Sequence, residues 1–318
     1  MITLKTISVV IPCYNDEKTI VPQYKKICES FETKLPTYNY EIIFADDCSS
    51  DNTWDEISKV CEKDKRVKGI HNTANFGVIR NLFCCLKYGH GDAVFMLMGD
   101  MQEPVELLPE FISHWEAGAM ITVGQKIGAT ESAFKKFARR SYYRLISKFA
   151  LKPQISNFTG YGLYDKSFIE ILNGIDDMQP YIKGIVSEFG GRNVEIVPYK
   201  LLPSPRKSNF NFMRNYDYAM AGITGYAKNL LRLCTFAGVG VGVLAFGFSI
   251  YTLINKLLNW NNYPMGIPTL MIGLFFLSAV QLFFMGIMGE YILSINERTM
   301  KRPMVIVDKR INWDRAYE

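Results

Sequence analysis

Apolar and polar positions alternate along the first two thirds of the chain in a way that predicts strands separated by helices. Short β-branched runs predict strands near residues 6–12, 40–45, 67–71, 93–98, 119–124 and 194–198. Apolar residues at helical spacing predict helices near residues 16–32, 51–63, 76–89, 104–116 and 131–150. Because alternating strands and helices form parallel sheets covered by helices, this pattern predicts an α/β fold with a mostly parallel sheet.

The last third of the chain contains two long stretches without a charged residue. They run from Leu233 to Asn255 and from Leu257 to Gly289, and about 20 apolar residues suffice to cross a bilayer. We therefore predict two transmembrane helices. Just before them, apolar residues recur at helical spacing over 211–229, which favours an interfacial helix on the membrane surface over a core helix.

These patterns divide the 318 residues into four predicted regions. They are a cytosolic α/β domain over 1–205, a juxtamembrane amphipathic helix over 206–230, a two-helix transmembrane domain over 231–292 and a cytosolic C-terminal tail over 293–318. Basic residues flank the two spans on the outer sides and the connection between them carries little charge, so both termini are predicted to be cytosolic. The chain opens on a strand rather than a signal sequence, which agrees with that orientation.

Composition narrows the possible partners and cofactors. The net charge of +5 is modest and does not call for a nucleic-acid partner. The three histidines do not have metal-ligand spacing, so a zinc centre is not expected. The seven cysteines contain no Cys-x-x-Cys pair, which is typical of reduced thiols in a reducing compartment.

Three of the predicted strands end in side chains that carry oxygen atoms. Tyr14 and Asp16 follow the first strand, the pair Asp46-Asp47 follows the second, and Asp100 follows the fourth. Since parallel strands bring their carboxyl ends to one edge of a sheet, where ligands bind, this arrangement predicts a nucleotide and metal site. A plainer interpretation also fits part of it, because Ser, Asp and Asn after Asp47 are typical helix caps.

The segment Asp100-Met101-Gln102-Glu103-Pro104 has two interpretations as well. In extended backbone, Asp100 and Gln102 lie on the same side, where their oxygens would bind a hard divalent cation that bridges a diphosphate. Alternatively, Glu103-Pro104 begins a helix, since proline is common in the first helical turn. Beside the other two strand ends, the metal interpretation is favoured.

The motifs together resemble one known family over nearly the whole chain. They are Val10-Ile11-Pro12-Cys13-Tyr14-Asn15-Asp16, Asp46-Asp47-Cys48-Ser49-Ser50-Asp51-Asn52-Thr53, Asn75-Phe76-Gly77, Gly91-Asp92-Ala93-Val94 and Asp100-Met101-Gln102-Glu103-Pro104, followed by two spans. Their order and spacing resemble the family 2 inverting glycosyltransferases with the GT-A (Rossmann-like) fold. The greatest similarity is to the polyisoprenyl-phosphate glycosyltransferases, the relatives of dolichol-phosphate mannose synthase.

The resemblance implies an activity and its partners. One sugar would move from a nucleotide-diphosphate sugar, with uridine the favoured base, to a polyprenyl phosphate, with inversion at the anomeric carbon. Mg²⁺ or Mn²⁺ would be the cofactor. The enzyme would lie in the bacterial inner (cytoplasmic) membrane as a multi-pass protein with its catalytic domain in the cytosol. It would contact the lipid bilayer, form a homo-oligomer such as a tetramer, and bind no nucleic acid.

The resemblance also implies roles for individual residues. Donor-binding residues would be Pro12, Tyr14, Asp16, Asp46, Asp47, Asn75 and Gly77. Asp100 would be the catalytic metal-binding acid, with Gln102 as a second ligand. The acceptor phosphate would be held by basic and hydroxyl side chains, namely Lys135, Arg139, Arg206 and Ser208. The alternative for these basic residues is contact with anionic lipid headgroups.

Several positions depart from the family pattern, and two other functions remain open. Met98 stands in place of the first motif acid, Val78 in place of a lysine, Gly162 in place of an arginine, and Asp16 in place of a glutamate. A catalytically degenerate membrane scaffold would be consistent with Met98 and Val78. A processive polysaccharide synthase is the second alternative, although the chain lacks the Gln-x-x-Arg-Trp motif of such enzymes.

Overall fold

The computed structural model describes residues 4–128, 154–191, 193–203, 267–300 and 302–313, together with single positions between 220 and 258. The described strands are β1 (Thr6–Cys13), β2 (Asn39–Asp46), β3 (Val67–Asn72), β4 (Ala93–Met96), β5 (Ile121–Ile127), β6 (Gly162–Asp165), β7 (Val194–Lys200) and β8 (Val307–Ile311). They form one sheet in the order β7-β5-β6-β4-β1-β2-β3-β8. The pairs β4-β1, β1-β2, β2-β3 and β5-β7 are parallel, whereas β6 and β8 run antiparallel to their neighbours.

The described helices are α1 (Ile20–Lys34), α2 (Thr53–Lys63), α3 (Val78–Tyr88), α4 (Leu108–Glu116), α5 (Lys166–Asn173), α6 (Ile182–Phe189) and α7 (Ile267–Thr299). The first six cover the two faces of the sheet. Helices α1, α2 and α4 contribute to one buried apolar cluster, and α3, α5 and α6 to a second. Along β1, Val9 and Ile11 join the first cluster and Val10 joins the second. A strand that is buried on both faces explains why its sequence is apolar without interruption.

The predicted α/β architecture with a mostly parallel central sheet is confirmed. All six predicted strands are present. The predicted helix near 104–116 begins later, because a 3₁₀ turn over Val105–Leu107 precedes α4. Strands β6 and β8 and helices α5 and α6 were not predicted. The predicted helix near 131–150 lies outside the described residues.

Helix α7 is the candidate membrane helix. Within it, the 24-residue stretch Phe276–Thr299 contains an 18-residue window with a mean hydropathy of 1.6, and none of that window is buried. In the part of the chain that the structure describes, this is the one helix that is long and apolar enough to cross a membrane. The first predicted span, 233–255, is described only at single positions, which are helical. The prediction of two spans therefore stays a prediction.

The chain returns from α7 to the sheet. Strand β8 pairs with the edge strand β3, and the Asn312 amide donates to the Cys61 and Val67 carbonyl oxygens at 2.7 Å each. The Trp313 indole donates to the Gly69 carbonyl oxygen at 3.2 Å and lies edge-on to Tyr88. The sheet thus holds the segment that follows the apolar helix, so the end of α7 is fixed close to the α/β domain.

We expect Trp313→Ala to destabilise this attachment. Removal of a half-buried indole and its hydrogen bond costs about 2 kcal/mol, less than for a fully buried tryptophan. That loss corresponds to a fall of about 4–8 °C in the Tm of the purified protein, measured by scanning calorimetry in detergent. Lys309→Ala is the matched control, because this β8 side chain is exposed. Equal Tm values for the two variants would show that the indole does not anchor the strand.

Candidate active site

The carboxyl ends of β4, β1 and β2 are adjacent in the sheet, and each is followed by a sharp turn. In each turn a residue other than glycine adopts a left-handed conformation: Asn15 has φ 55°, Cys48 has φ 56° and Met101 has φ 55°. Such conformations are uncommon outside glycine and cluster at functional sites. The three turns therefore mark one edge of the sheet, which is the edge that the sequence predicted.

The turns after β1 and β2 are bonded to each other. The Asn15 amide nitrogen donates to Ser49 Oγ at 2.9 Å, and the Ser50 amide donates back to Asn15 Oδ1 at 2.9 Å. The Asp16 amide donates to Thr53 Oγ1 at 2.8 Å. Because backbone and side-chain groups of both turns satisfy one another, the two turns form one rigid unit.

Asp46 lies at the end of β2 and is fully buried. Its carboxylate accepts hydrogen bonds from the Ser49 hydroxyl and amide, and it contacts His71 Nδ1 at 2.7 Å. Burial raises the pKa of this carboxyl above its usual value, although the bonds to Ser49 and His71 oppose the rise. His71 in turn packs against Trp54, with ring centroids 4.9 Å apart. Asp46 therefore interacts with protein groups that shape the turn.

Asp47 holds the loop that precedes α3. Its carboxylate, 2% exposed, accepts hydrogen bonds from Asn72 Nδ2 at 3.0 Å, the Phe76 amide at 3.0 Å and the Gly77 amide at 2.8 Å. A carboxylate at a helix N-terminus satisfies amides that have no helical partner. The predicted donor residues Asp47 and Gly77 are thus brought together, and Asn75 lies exposed beside them.

The turn after β1 lies directly against the turn after β4. Asp16 Oδ2 accepts a hydrogen bond from the Tyr14 amide at 3.0 Å. A Cβ built on Gly99 would lie 2.6 Å from Asp16 Oδ2 and 3.1 Å from the Pro12 carbonyl oxygen. Glycine at position 99 therefore permits this close approach, which places the predicted donor residues beside the segment that carries Asp100.

We call residues 98–104 the metal loop, after the role predicted for Asp100 and Gln102. The loop is held by neighbouring elements through its carbonyl oxygens. Gln23 Nε2 donates to the Met98 oxygen at 3.0 Å, Thr19 Oγ1 to the Gly99 oxygen at 2.7 Å, and the Leu202 amide to the Gln102 oxygen at 2.9 Å. A loop whose carbonyls are satisfied in this way presents its side chains in a fixed geometry.

Asp100 and Gln102 provide donor atoms suited to Mg²⁺ or Mn²⁺. Asp100 Oδ1 accepts the Gln102 amide at 3.2 Å, and the Asp100 side chain is half-buried. Among the described residues, no group of three His, Cys, Asp or Glu side chains is placed to hold a metal. Met101 between these two residues is left-handed, with φ 55°, so the extended backbone predicted from the sequence for this segment is not present. The donor set seen here is therefore the single Asp100 carboxylate, which fits a cation that takes its other ligands from phosphate and water, and a ligand role for Gln102 stays a prediction.

Glu103 is a site residue that sequence reasoning missed, because Glu103-Pro104 also fits a plain helix start. Its side chain is 4% exposed. Oε2 accepts the Met98 amide at 3.0 Å, and Oε1 contacts Thr159 Oγ1 at 2.8 Å and the Tyr199 hydroxyl at 3.5 Å. Burial raises the pKa of Glu103 to about 8. A raised pKa in a buried acid beside a candidate site is a typical functional signal.

Other predicted positions are placed as follows. The acceptor residues Lys135, Arg139, Arg206 and Ser208 lie outside the described residues. Val78 is exposed at the start of α3. Gly162 lies within β6, where a Cβ would meet the Thr122 carbonyl oxygen at 2.5 Å, so an arginine does not fit there in this backbone.

Comparison with known proteins identifies the family of this chain. Residues 8–190 match the Glycosyl transferase family 2 domain. The chain is 31% identical over 304 residues to the SfII prophage-derived bactoprenol glucosyl transferase of Shigella flexneri, covering 95% of this chain and 97% of that protein. It is 30% identical over 305 residues to the putative glycosyltransferase CsbB of Bacillus subtilis, covering 95% and 91%.

A solved structure supports the fold. Mannosyl-3-phosphoglycerate synthase from Rubrobacter xylanophilus aligns with a TM-score of 0.52 at 12% identity, over 72% of this chain and 74% of that chain. At this identity the likeness bears on the α/β GT-A-like fold alone. Because the domain match spans more than half of the chain and the relatives extend it to nearly its full length, the chain belongs to glycosyl transferase family 2 and is a glycosyltransferase enzyme.

Proposed function

We propose that this enzyme transfers one sugar from a UDP-sugar to a polyprenyl phosphate, with inversion at the anomeric carbon. The observation that carries the proposal is that one chain combines two features. The first is the sheet edge that carries Asp100, and the second is the apolar helix α7. Strand β8, which follows α7, belongs to that same sheet. A polyprenyl chain stays in lipid, so its phosphate is accessible to a site held at the membrane surface. The Shigella flexneri relative is named a bactoprenol glucosyl transferase, which supports this acceptor class and suggests glucose as the first donor sugar to test.

The donor side uses the interlocked turns after β1 and β2. We assign contact with the nucleotide to the accessible groups, above all Tyr14 and Asn75. Tyr14 is half-buried and Asn75 is exposed. Pro12, Asp16, Asp46, Asp47 and Gly77 complete the predicted donor set. Since Asp46 and Asp47 already accept hydrogen bonds from protein groups, their proposed part is to shape the pocket and its electrostatic field.

Asp100 and Gln102 would hold Mg²⁺ or Mn²⁺. The cation would neutralise charge that develops on the leaving diphosphate. Asp100 lies in a loop whose carbonyl oxygens accept hydrogen bonds from Thr19 and Gln23 at the start of α1 and from Leu202 after β7. The loop therefore needs little rearrangement to receive the donor, which favours catalysis by preorganised charge.

The acceptor phosphate would be held by Lys135, Arg139, Arg206 and Ser208. Arginine and lysine bind phosphate through charge-assisted hydrogen bonds. The Leu202 amide donates to the Gln102 oxygen, and Arg206 follows Leu202 by four residues in the sequence, which supports a place for Arg206 near the metal loop. A phosphate monoester is already an anion near neutral pH, so the attack needs no strong general base. What these residues supply is positioning.

The membrane part of the proposal goes beyond the single apolar helix. We propose two spans, with both termini in the cytosol, in the bacterial cytoplasmic membrane. Described positions between 236 and 258 are helical and mostly exposed, which supports a first span. Thr224 Oγ1 lies 3.0 Å from Ser294 Oγ of α7, consistent with a juxtamembrane helix beside that span. Assembly as a homotetramer is part of the same proposal.

A donor screen tests the proposed reaction. Purified protein in detergent is incubated with Mn²⁺, polyprenyl phosphate and one radiolabelled nucleotide sugar at a time, beginning with UDP-glucose. We expect label in the lipid phase with a UDP-sugar. The matched control is the polyprenol without its phosphate, which should receive no label. Label that appears on both lipids, or on neither with every donor, would contradict the proposal.

Cys48 provides an independent test of the donor site. It is half-buried in the turn after β2, whereas the other five described cysteines are buried. We expect N-ethylmaleimide to modify Cys48 first among these six, and UDP with Mn²⁺ at about ten times Kd to slow the reaction about tenfold. Peptide mass spectrometry follows each cysteine separately. Mn²⁺ alone is the control, and an unchanged rate with saturating UDP would place the nucleotide elsewhere.

A further inference from the structure

Glu103 belongs to the metal loop, but its side chain is buried rather than accessible. Its Oε2 accepts the Met98 amide at 3.0 Å, so the carboxyl closes the loop on itself. Its Oε1 meets Thr159 Oγ1 at 2.8 Å and the Tyr199 hydroxyl at 3.5 Å. Loss of the Glu103 carboxyl would remove the partner of the half-buried Met98 amide, and a donor left without a partner is costly.

The partners of Glu103 come from two distant parts of the chain. Thr159 lies just before β6 and Tyr199 lies in β7. The same two parts also bond the loop through its backbone, since Tyr161 donates to the Pro104 oxygen at 2.7 Å and the Leu202 amide to the Gln102 oxygen at 2.9 Å. The loop that carries Asp100 is therefore held by hydrogen bonds to residues just before β6 and to residues in and just after β7.

We propose that Glu103 is a positioning residue for sugar transfer. Together with Thr159 it would hold the metal loop so that Asp100 is placed to bind the cation and the donor diphosphate. The proposal rests on the proposed function. The position of Met98 explains why such support matters here. A methionine at that position provides no carboxylate, so the cation depends on the placement of Asp100 more than it would with two acids.

The arrangement also links the metal loop to the chain that follows β7. Beyond Tyr199, β7 ends at Lys200, and the Leu202 amide donates to the Gln102 oxygen. A shift of Glu103 would therefore move Asp100 relative to its neighbours in this part of the fold. Misplacement by about 1 Å costs about 10²-fold in rate when reacting groups must be aligned.

The test compares matched pairs of variants by isothermal titration of UDP in the presence of Mn²⁺ and by transfer kinetics. Thr159→Val removes the hydroxyl that contacts Glu103. Thr122→Val is its control, because the Thr122 hydroxyl is buried in β5 and has no hydrogen-bond partner among the described residues. Glu103→Met removes the carboxyl, and Glu103→Gln retains an oxygen for the Met98 amide and a donor for Thr159.

We expect Thr159→Val to raise the half-saturating Mn²⁺ concentration about 3- to 10-fold, and Glu103→Met by more than about 10-fold. Glu103→Gln should recover most of that loss, and Thr122→Val should stay within about twofold of the wild type. A purely structural role would lower Tm in both Glu103 variants without separating their Mn²⁺ dependence. If Glu103→Met does not fold, the Thr159 and Thr122 pair decides alone.

Two results would overturn the proposal, and they are distinguishable. Equal half-saturating Mn²⁺ concentrations in Thr159→Val, Glu103→Met and their controls would exclude a positioning role while leaving the proposed function intact. A wild-type enzyme that neither binds UDP with Mn²⁺ nor transfers sugar would instead remove the proposed function, and the positioning role with it.

Discussion

Asp100→Asn is expected to lower the rate of sugar transfer by about 10³-fold, the largest effect among single substitutions in this chain. The amide has nearly the same shape as the carboxylate, and it retains an oxygen for the Gln102 amide, which donates to Asp100 Oδ1 at 3.2 Å. The loss would therefore come from the missing charge rather than from a collapsed loop. The measurement is kcat with UDP-sugar, polyprenyl phosphate and saturating Mn²⁺.

Asp55→Asn is the matched control for this substitution. Asp55 is exposed in the first turn of α2 and none of the proposed roles is assigned to it, so the activity of the variant should remain within about twofold of the wild type. Chelation of the metal with EDTA should abolish wild-type transfer, and added Mn²⁺ should restore it. Wild-type activity in Asp100→Asn would remove this residue from the reaction and favour a different metal arrangement.

Gly99→Ala is expected to lower transfer by about 10²-fold. The added methyl group would lie 2.6 Å from Asp16 Oδ2 and 3.1 Å from the Pro12 carbonyl oxygen. Either the metal loop or the turn after β1 must then move. Asp16 is buried and already accepts the Tyr14 amide, so we expect the displacement to reach both the donor pocket and Asp100.

Gly174→Ala provides the control for the added methyl group. A Cβ at position 174 has the Ile171 carbonyl oxygen 3.5 Å away, which is ordinary contact. Its transfer rate should match the wild type within about twofold. If Gly99→Ala were as active as Gly174→Ala, the close approach of the two turns would have no part in catalysis.

The sheet edge could be predicted from the sequence because its signals are local. Buried parallel strands are apolar without interruption, and polar residues after them mark their carboxyl ends. Asp16, Asp47 and Asp100 were placed at one edge on this basis, and the structure brings their turns together. By contrast, strand β6, Gly162-Leu163-Tyr164-Asp165, contains no β-branched residue and ends in a charged one, so it lacks the apolar run that predicted the equally short β4. Strand β8 contains Asp308, Lys309 and Arg310, which obscure its strand character.

The partners of the site carboxylates could not be predicted, because they depend on contacts between distant parts of the chain. Asp46 meets His71 on the neighbouring strand, and Glu103 meets Thr159, 56 residues away. The sequence predicted Asp46 and Asp47 as donor ligands, and their direct contact with the donor stays a prediction. The fold adds that both carboxylates accept several protein hydrogen bonds, which the sequence pattern did not indicate.

The products of a single incubation test the central claim most directly. We would combine wild-type enzyme with Mn²⁺, polyprenyl phosphate and either UDP-glucose or the active donor from the screen. The mass of the lipid product is measured by mass spectrometry, and the released UDP is quantified. We predict one sugar on each product lipid, one UDP released for each sugar transferred, and an inverted anomeric centre by NMR. Several sugars on one lipid would instead indicate a polymerising enzyme. UDP release without a glycosylated lipid would contradict polyprenyl phosphate as the acceptor.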